Sequence, residues 1–228
     1  MSYTRKTARE NHVISRTYKR RKTYNNKLTK KQVKAMKEVA RKVDLDDAEL
    51  KYTDNAGSAG PTASSPVAVP VSTGITAGTG RGNRIGQEIT PYYLSMRFKI
   101  NGDSSGIFIN QGYRILVLQW LSGYTEDPPT QEDLFGSASA LYAHYDIAEN
   151  KKFKILRDMR GVLARSVDNS DHADYIETNI THKELKEKCK FDESGNPTTG
   201  HLWILFMSDE PTGAPVLGYE YRFGYKDI

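Results

Sequence analysis

The amino-acid sequence predicts an all-β domain preceded by a basic arm, and three observations indicate it. Several segments after residue 85 alternate apolar and polar residues with a period of two, most clearly residues 217–225. Residues 113–121 and 201–207 are almost continuously apolar, as strands buried on both faces are. The first 42 residues, in contrast, are polar and strongly basic. The body of the chain is therefore expected to fold as β-structure and the arm to have a separate role.

The charge is divided unevenly along the chain. Residues 1–42 contain fifteen Lys or Arg and only two acidic residues, a net charge of +13. The whole chain carries +5, so residues 43–228 have a net charge of −8. We place the arm at residues 1–45 and the β domain at residues 46–228. A basic tail on an acidic body is typical of an appendage that binds a polyanion.

The arm is predicted to be partly disordered and partly helical. Residues 1–28 are polar and aperiodic, so they bury too little apolar surface to offset the entropy of ordering. Thr29 and Gln32 fit a capping box, and apolar residues recur at helical spacing from Val33 to Val43. Asp44, which begins an acidic cluster, is expected to close this short helix. The opposite face of the helix is basic, which suits contact with phosphates.

The β domain is predicted to hold about eight strands. Their positions are residues 49–53, 94–100, 113–121, 153–163 with a polar kink, 176–180, 185–191, 201–207 and 217–225, and one further short extended piece is expected at 67–71 within a long loop. This number of strands in one domain predicts a two-sheet antiparallel sandwich, and a single jelly roll is the commonest such arrangement. The long stretch 122–149 predicts a functional surface or a short helix at residues 131–141.

The sequence gives no sign of an enzyme, a cofactor or a metal site. The five histidines form no H-x-H or H-E-x-x-H pair, and no G-x-S-x-G elbow is present. The glycine-rich residues 78–86 are followed by a strand, so they predict a flexible entry into the sandwich rather than a phosphate-binding loop. The single cysteine, Cys189, is expected to be a small core residue. No apolar run approaches the roughly 18 residues of a membrane helix, so membrane insertion is not expected.

Three segments resemble a known family. Residues 78–89 (GTGRGNRIGQEI) resemble the stretch leading into an early long strand in capsid proteins of small, circovirus-like, circular single-stranded DNA viruses. They are also similar to coat proteins of plant satellite viruses, which package RNA. Residues 49–54 resemble that group's first shell strand and residues 152–158 a middle one. The resemblance covers about residues 45–228. It implies a jelly-roll shell domain, about 60 copies in a T=1 icosahedral shell, an inward arm that contacts the genome, and no catalysis.

The expected function is therefore that of a structural capsid protein that self-assembles and packages a single-stranded genome, DNA with RNA as the alternative. The arm residues expected to neutralise phosphates are Arg5, Lys6, Arg9, Arg16, Lys19, Arg20, Arg21, Lys22, Lys27, Lys30, Lys31 and Lys34. Tyr3, Tyr18 and Tyr24 are expected to stack on unpaired bases. The cluster at residues 19–22 also suits nuclear import, so host import factors are expected partners. The expected locations are the virion and, during assembly, the host nucleus.

Other functions remain open. A non-viral nucleic-acid-binding β domain with a basic tail would place aromatic and basic side chains together on one exposed sheet face. In the β domain the aromatics instead alternate inward and the charges outward, as in residues 217–225, which favours a shell. Calcium bridging between subunits at residues 44–49 or 168–174 is a further alternative. A glycan-binding jelly roll is another alternative, but it leaves the basic arm unexplained. An organelle transit peptide at the N-terminus is an alternative interpretation of the arm.

Overall fold

The computed structural model describes residues 29–60, 66–102, 110–121, 128–136, 141–146, 152–164, 173–185, 187–208 and 214–227. The chain divides into two units, Met1–Asp46 and Asp47–Ile228. Helix α1 spans Lys30–Asp47. In the β unit the strands are β1 Leu50–Ala59, β2 Val67–Pro70, β3 Glu88–Asn101, β4 Asn110–Trp120, β5 Phe153–Ala164, β6 Ala173–Thr181, β7 Cys189–Lys190, β8 Leu202–Ser208 and β9 Val216–Asp227. A short helix, α2, spans Gln131–Phe135.

Helix α1 begins at the predicted capping box. The Thr29 N–H donates to Gln32 Oε1 at 2.9 Å, and the Gln32 N–H donates to Thr29 Oγ1 at 3.3 Å. The helix runs on to Asp47, past the acidic cluster that was expected to close it. Carboxylates near a helix C-terminus are unfavourable, but no glycine or proline follows until Gly57, so nothing in the sequence forces an earlier end.

The strands form two antiparallel sheets, as predicted. The first sheet has the order β1-β9-β3-β6, with β7 paired to the start of β3, and the second has the order β2-β8-β4-β5. Alternate residues of β3, namely Leu94, Met96, Phe98 and Ile100, are buried in a core shared with residues of the second sheet. The fold is thus all-β, with its main core between two sheets.

Strands that are distant in the sequence pair with one another. The first strand pairs with the last, β1 with β9, and the second pairs with the last but one, β2 with β8. Inside these, β3 pairs with β6 and β4 pairs with β5. These four pairings are therefore nested from the outside of the sequence inward, while β9 also pairs with β3 and β8 with β4.

Four of the sequence predictions are corrected. Strand β5 is continuous where a polar kink was predicted, because its polar residues still pair with β4. Helix α2 ends at Phe135 rather than at residue 141, because Gly136 adopts φ 61° and its N–H donates to Glu132 O. Of predicted strand 185–191 only Cys189–Lys190 form a described strand, β7, and the short piece expected at 67–71 pairs as β2, which raises the strand count to nine in the described chain. Residues 78–86, predicted to be flexible, are held by Gly78–Arg84 and Arg84–Thr76 backbone bonds of 2.9 and 3.0 Å.

A second apolar cluster covers the other face of the second sheet. Leu134 and Phe135 of α2 pack there with strand residues such as Leu116 and Trp203. Arg114, fully buried, makes two hydrogen bonds of 2.9 and 2.8 Å to Asp158 and also donates to the backbone of the covering segment at Ala143. Burial alone would raise the pKa of Asp158, but hydrogen bonds from Arg114, Arg160 and Tyr145 hold it well below its usual value. The described part of stretch 122–149 is thus a fixed cover on this sheet.

Candidate nucleic-acid interface

Most of the predicted phosphate-binding residues lie outside the described part of the chain. These are Arg5, Lys6, Arg9, Arg16, Lys19, Arg20, Arg21, Lys22 and Lys27, together with Tyr3, Tyr18 and Tyr24. The remaining three, Lys30, Lys31 and Lys34, lie in the first two turns of α1, and all are exposed.

Helix α1 carries a basic and an apolar face, both open to solvent. Lys30, Lys34 and Lys37 are spaced four and three residues apart, so they lie on one side of the helix. Val33, Met36, Val39 and Val43 recur at helical spacing and are also exposed. A ladder of ammonium groups at this spacing can contact successive phosphates but reads no base sequence.

A second group of basic and aromatic side chains lies on the outer face of the first sheet, away from the core. Tyr52 of β1 and Tyr93 of β3 lie in register on either side of Gly224 of β9. The Tyr93 ring lies flat on this glycine, since a Cβ at position 224 would be 2.1 Å from Tyr93 Cε1. Gly224 therefore makes room for an aromatic ring on the sheet surface.

Cations lie against the tyrosine rings of this face. The guanidinium carbons of Arg81 and Arg222 lie 4.9 and 4.8 Å from the centre of the Tyr52 ring. Lys99 Nζ lies 5.7 Å from the ring of Tyr175 on β6, and Tyr175 is 73% exposed. Such cation–π pairs hold a positive charge beside each ring.

An irregularity in β3 adds another aromatic stack at the end of the sheet. The register with β9 shifts between Pro91 and Tyr93, which leaves Tyr92 as an extra residue. Its ring stacks on His182 at 5.2 Å with an interplanar angle of 11°, and Lys226 Nζ lies 5.0 Å from it. This stack continues the aromatic surface beyond Tyr93.

The acidic residues Asp54, Glu177 and Glu220 of this face each have an arginine neighbour. Arg222 Nε and Nη2 donate to the two carboxylate oxygens of Asp54 at 2.7 and 2.8 Å, and this lowers the pKa of Asp54. Arg97 lies between Glu177, at 3.6 Å, and Glu220, its partner on β9. An open depression of about 220 Å³ lies between the two arginines. The negative charges of these carboxylates are thus largely neutralised by the neighbouring arginines, and Arg81 and Lys99 add positive charge to the face.

We call this surface the tyrosine face and define it by Tyr52, Tyr93, Tyr175, Arg81, Arg97, Lys99 and Arg222. It corrects the interpretation that aromatic side chains of the β domain turn inward. That interpretation holds for Phe223 and Tyr225 of β9, which are buried. It fails for β3 and β6, where Tyr93 precedes buried Leu94 and Tyr175 precedes Ile176 of the core. The signal was present in the sequence, as tyrosines out of phase with the core residues of their own strands.

Other groups that could bind a ligand or react are already hydrogen-bonded within the protein or are buried. The Ile85 and Gly86 N–H groups of the glycine-rich segment both donate to Asp227, so they are not available to a phosphate. Ser72 and His201 lie 3.0 Å apart but are fully buried. In the part of the chain that the structure describes, no three His, Cys, Asp or Glu side chains gather as a metal site. Likewise, none of its described helices has the length and apolarity needed to span a membrane.

Neither family models nor curated sequences provide a further guide to these surfaces. No protein-family model matches the chain, and no curated protein is similar to it in sequence. A function has therefore to be inferred from the residues and contacts of this chain.

Proposed function

We propose that this chain is a structural viral capsid protein. In this proposal it self-assembles into a small icosahedral shell and packages a single-stranded genome, DNA with RNA as the alternative, through the basic arm at residues 1–45. The virion, and the host nucleus during assembly, are its proposed locations. The observation that carries the proposal is the nested strand pairing of a β unit that follows a strongly basic segment.

The nested pairing supports a jelly-roll topology. A jelly roll is a long antiparallel hairpin wound into two four-stranded sheets, so its first strand pairs with its eighth, its second with its seventh, and so on inward. If the two-residue β7 is set aside, the pairs β1–β9, β2–β8, β3–β6 and β4–β5 follow this rule. Sandwiches of this kind form the shells of many viral capsids and also occur in lectins. The basic arm favours the capsid over the lectin.

The charge of the arm is suited to packaging. Each chain brings +13 in its first 42 residues, and the three described lysines among the predicted contacts are exposed. In a shell of about 60 copies this is roughly 780 positive charges, enough to offset much of a genome on the order of one to two thousand nucleotides. Such charge neutralisation is independent of base sequence, as packaging of a whole genome requires.

The proposal predicts closed particles in solution. The purified full-length protein, at micromolar concentration, is expected to sediment as a species of about 60 subunits and to appear as round shells by electron microscopy. From the mass of one chain, 25.7 kDa, such a shell has a mass of about 1.5 MDa. A monomer that persists across salt and pH, with and without single-stranded nucleic acid, would contradict the capsid function.

A second candidate function is favoured by one observation, the tyrosine face. A non-viral nucleic-acid-binding β domain with a basic tail is expected to carry aromatic and basic side chains on one exposed sheet face. Arg222 beside Tyr52, and Lys99 beside Tyr175, meet that expectation. The same sedimentation experiment separates the two functions, since this candidate predicts a small complex with one nucleic acid strand and no shell.

A further inference from the structure

We propose that the tyrosine face binds single-stranded nucleic acid by stacking bases on its tyrosine rings. This goes beyond the proposed function, which assigns binding to the arm alone, and it does not depend on shell assembly. The arm would supply charge-driven affinity, while the tyrosine face would order a short stretch of the strand against the β unit.

The rings are presented where a strand of nucleic acid can reach them. Tyr52 and Tyr93 flank Gly224 on β9, whereas Tyr175 is in register with Lys99 and Gly218 further along the sheet. Gly218 and Gly224 are six residues apart on β9, so the rings extend over roughly 20 Å at about 3.3 Å per residue. A surface of that length accommodates several nucleotides of an extended strand.

The composition of the face suits this ligand. Every base has a π-face, so stacking on tyrosine tolerates any sequence, and the guanidinium group of Arg81 beside Tyr52 can contact a flanking phosphate. The carboxylates of Asp54 and Glu177 are each paired with an arginine, at 2.7 and 3.6 Å. Tyr175, 73% exposed, contributes little to the core, so the fold does not require an aromatic residue there.

Chain connectivity links this face to the arm. Helix α1 ends at Asp47, and β1, the edge strand of the first sheet, begins at Leu50. A nucleic acid strand bound by the lysines of the arm is therefore held near the β unit, so its local concentration at the tyrosine face is high. Even weak stacking contacts then contribute measurably to the overall affinity.

The test uses the full chain, two double substitutions and one single substitution as a control. Binding of a fluorescein-labelled oligo(dT) of about 20 nucleotides is measured over a salt series. Y52L/Y175L keeps apolar bulk but removes the π-faces, and Y52F/Y175F restores them. The matched control is Tyr142→Leu, since Tyr142 is 68% exposed but belongs to the segment near the second sheet. Circular dichroism checks that each variant keeps its β spectrum.

The proposal predicts a weakening without a change of salt dependence. Y52L/Y175L is expected to bind roughly five- to a hundredfold more weakly with an unchanged log–log salt slope, because stacking releases no counterions. Y52F/Y175F and Tyr142→Leu are expected to bind within twofold of the original chain. Photo-cross-linking of an oligonucleotide containing 5-iodouracil is expected to label peptides that carry Tyr52, Tyr93 or Tyr175.

Two outcomes would overturn the proposal. One is an unchanged affinity of Y52L/Y175L together with cross-links confined to residues 1–45. The other is a loss of particle assembly in Y52L/Y175L with binding unchanged, which would make the face a contact between copies of the chain. A failure of the capsid function is distinct from both, since it is a monomer whose tyrosine face still binds the oligonucleotide.

Discussion

His201, Ser72 and Cys189 lie together inside the β unit, where the Ser72 hydroxyl contacts both His201 and the Cys189 thiol. His201 Nε2 donates to the carbonyl of Lys190 at 2.7 Å, because a carbonyl can only accept, and Nδ1 then accepts from the Ser72 hydroxyl at 3.0 Å. Ser72 Oγ in turn accepts the Leu202 N–H at 2.9 Å. Burial lowers the pKa of His201 to about 4 and raises that of the Cys189 thiol to about 12. Both side chains are thus held neutral and structural.

The burial of His201 predicts an acid-sensitive fold. In the unfolded chain a histidine binds its proton with a pKa of about 6.5, so below that pH the unfolded state binds more protons than the folded state. The contribution of His201 to stability should be constant above pH 7 and fall between pH 6.5 and 4. Relative to a His201→Gln variant, the loss by pH 4.5 should reach about 2–3 kcal/mol.

Urea titrations at pH 7.5 and pH 4.5 measure this loss. His144→Gln serves as the control, because His144 is exposed and its substitution should leave the pH dependence as it is in the original chain. If the His201→Gln and original chains lose the same free energy of unfolding between the two pH values, His201 is not the cause of the acid sensitivity.

Among the elements, α1 joins a basic face to an exposed apolar face. Replacing Lys30, Lys31 and Lys34 with alanine should keep the helix, since alanine favours it, and remove up to three phosphate contacts. We expect the log–log salt slope for single-stranded DNA to flatten by about 2, at roughly 0.7 per contact, with all sequences weakened alike. Lys183→Ala, at an exposed turn of the β unit, is the control. An unchanged slope would exclude α1 from the contacts.

The predictability of each element depended on whether its residues shared one environment. Strands β4 and β9 were predicted because burial imposes a clear pattern on them, continuous in the first and alternating in the second. Strand β5 was predicted with a polar kink, because Arg157 and Asp158 are polar but paired, with Glu184 and Arg114. The tyrosine face was missed for a related reason, since an aromatic residue is ordinarily assigned to the core whatever its phase.

At the scale of the whole molecule, the β unit contains its own core. The described core residues lie between Val69 and Tyr225, and the strand pairings begin at Leu50. A chain that lacks residues 1–42 is therefore expected to keep its β-type circular dichroism and a cooperative thermal transition. The full-length chain measured in parallel is the control. Loss of the β spectrum in the shortened chain would show that the first unit is required for folding.

The sheet order could not be predicted from local sequence patterns. Alternation identified β1 and β9 separately, but no local signal tells that Leu50 pairs with Lys226, at the opposite end of the sequence. The two-sheet arrangement followed from the number of strands, whereas the partner of each strand is decided by packing over the whole chain. The location of the tyrosine face depends on this order, because it brings β1, β9, β3 and β6 side by side.

The pairing of β1 with β9 also affects how the protein is made. During translation β1 leaves the ribosome about 160 residues before its partner, which at about 5–20 residues per second is a delay of roughly 8–30 seconds. A strand that waits unpaired is an aggregation hazard, and the risk grows with its apolar content. In β1 the stretch Asp54, Asn55, Ala56, Gly57 and Ser58 has little apolar surface. Strand β1, which has the longest delay before its partner is made, is thus a segment with little tendency to aggregate.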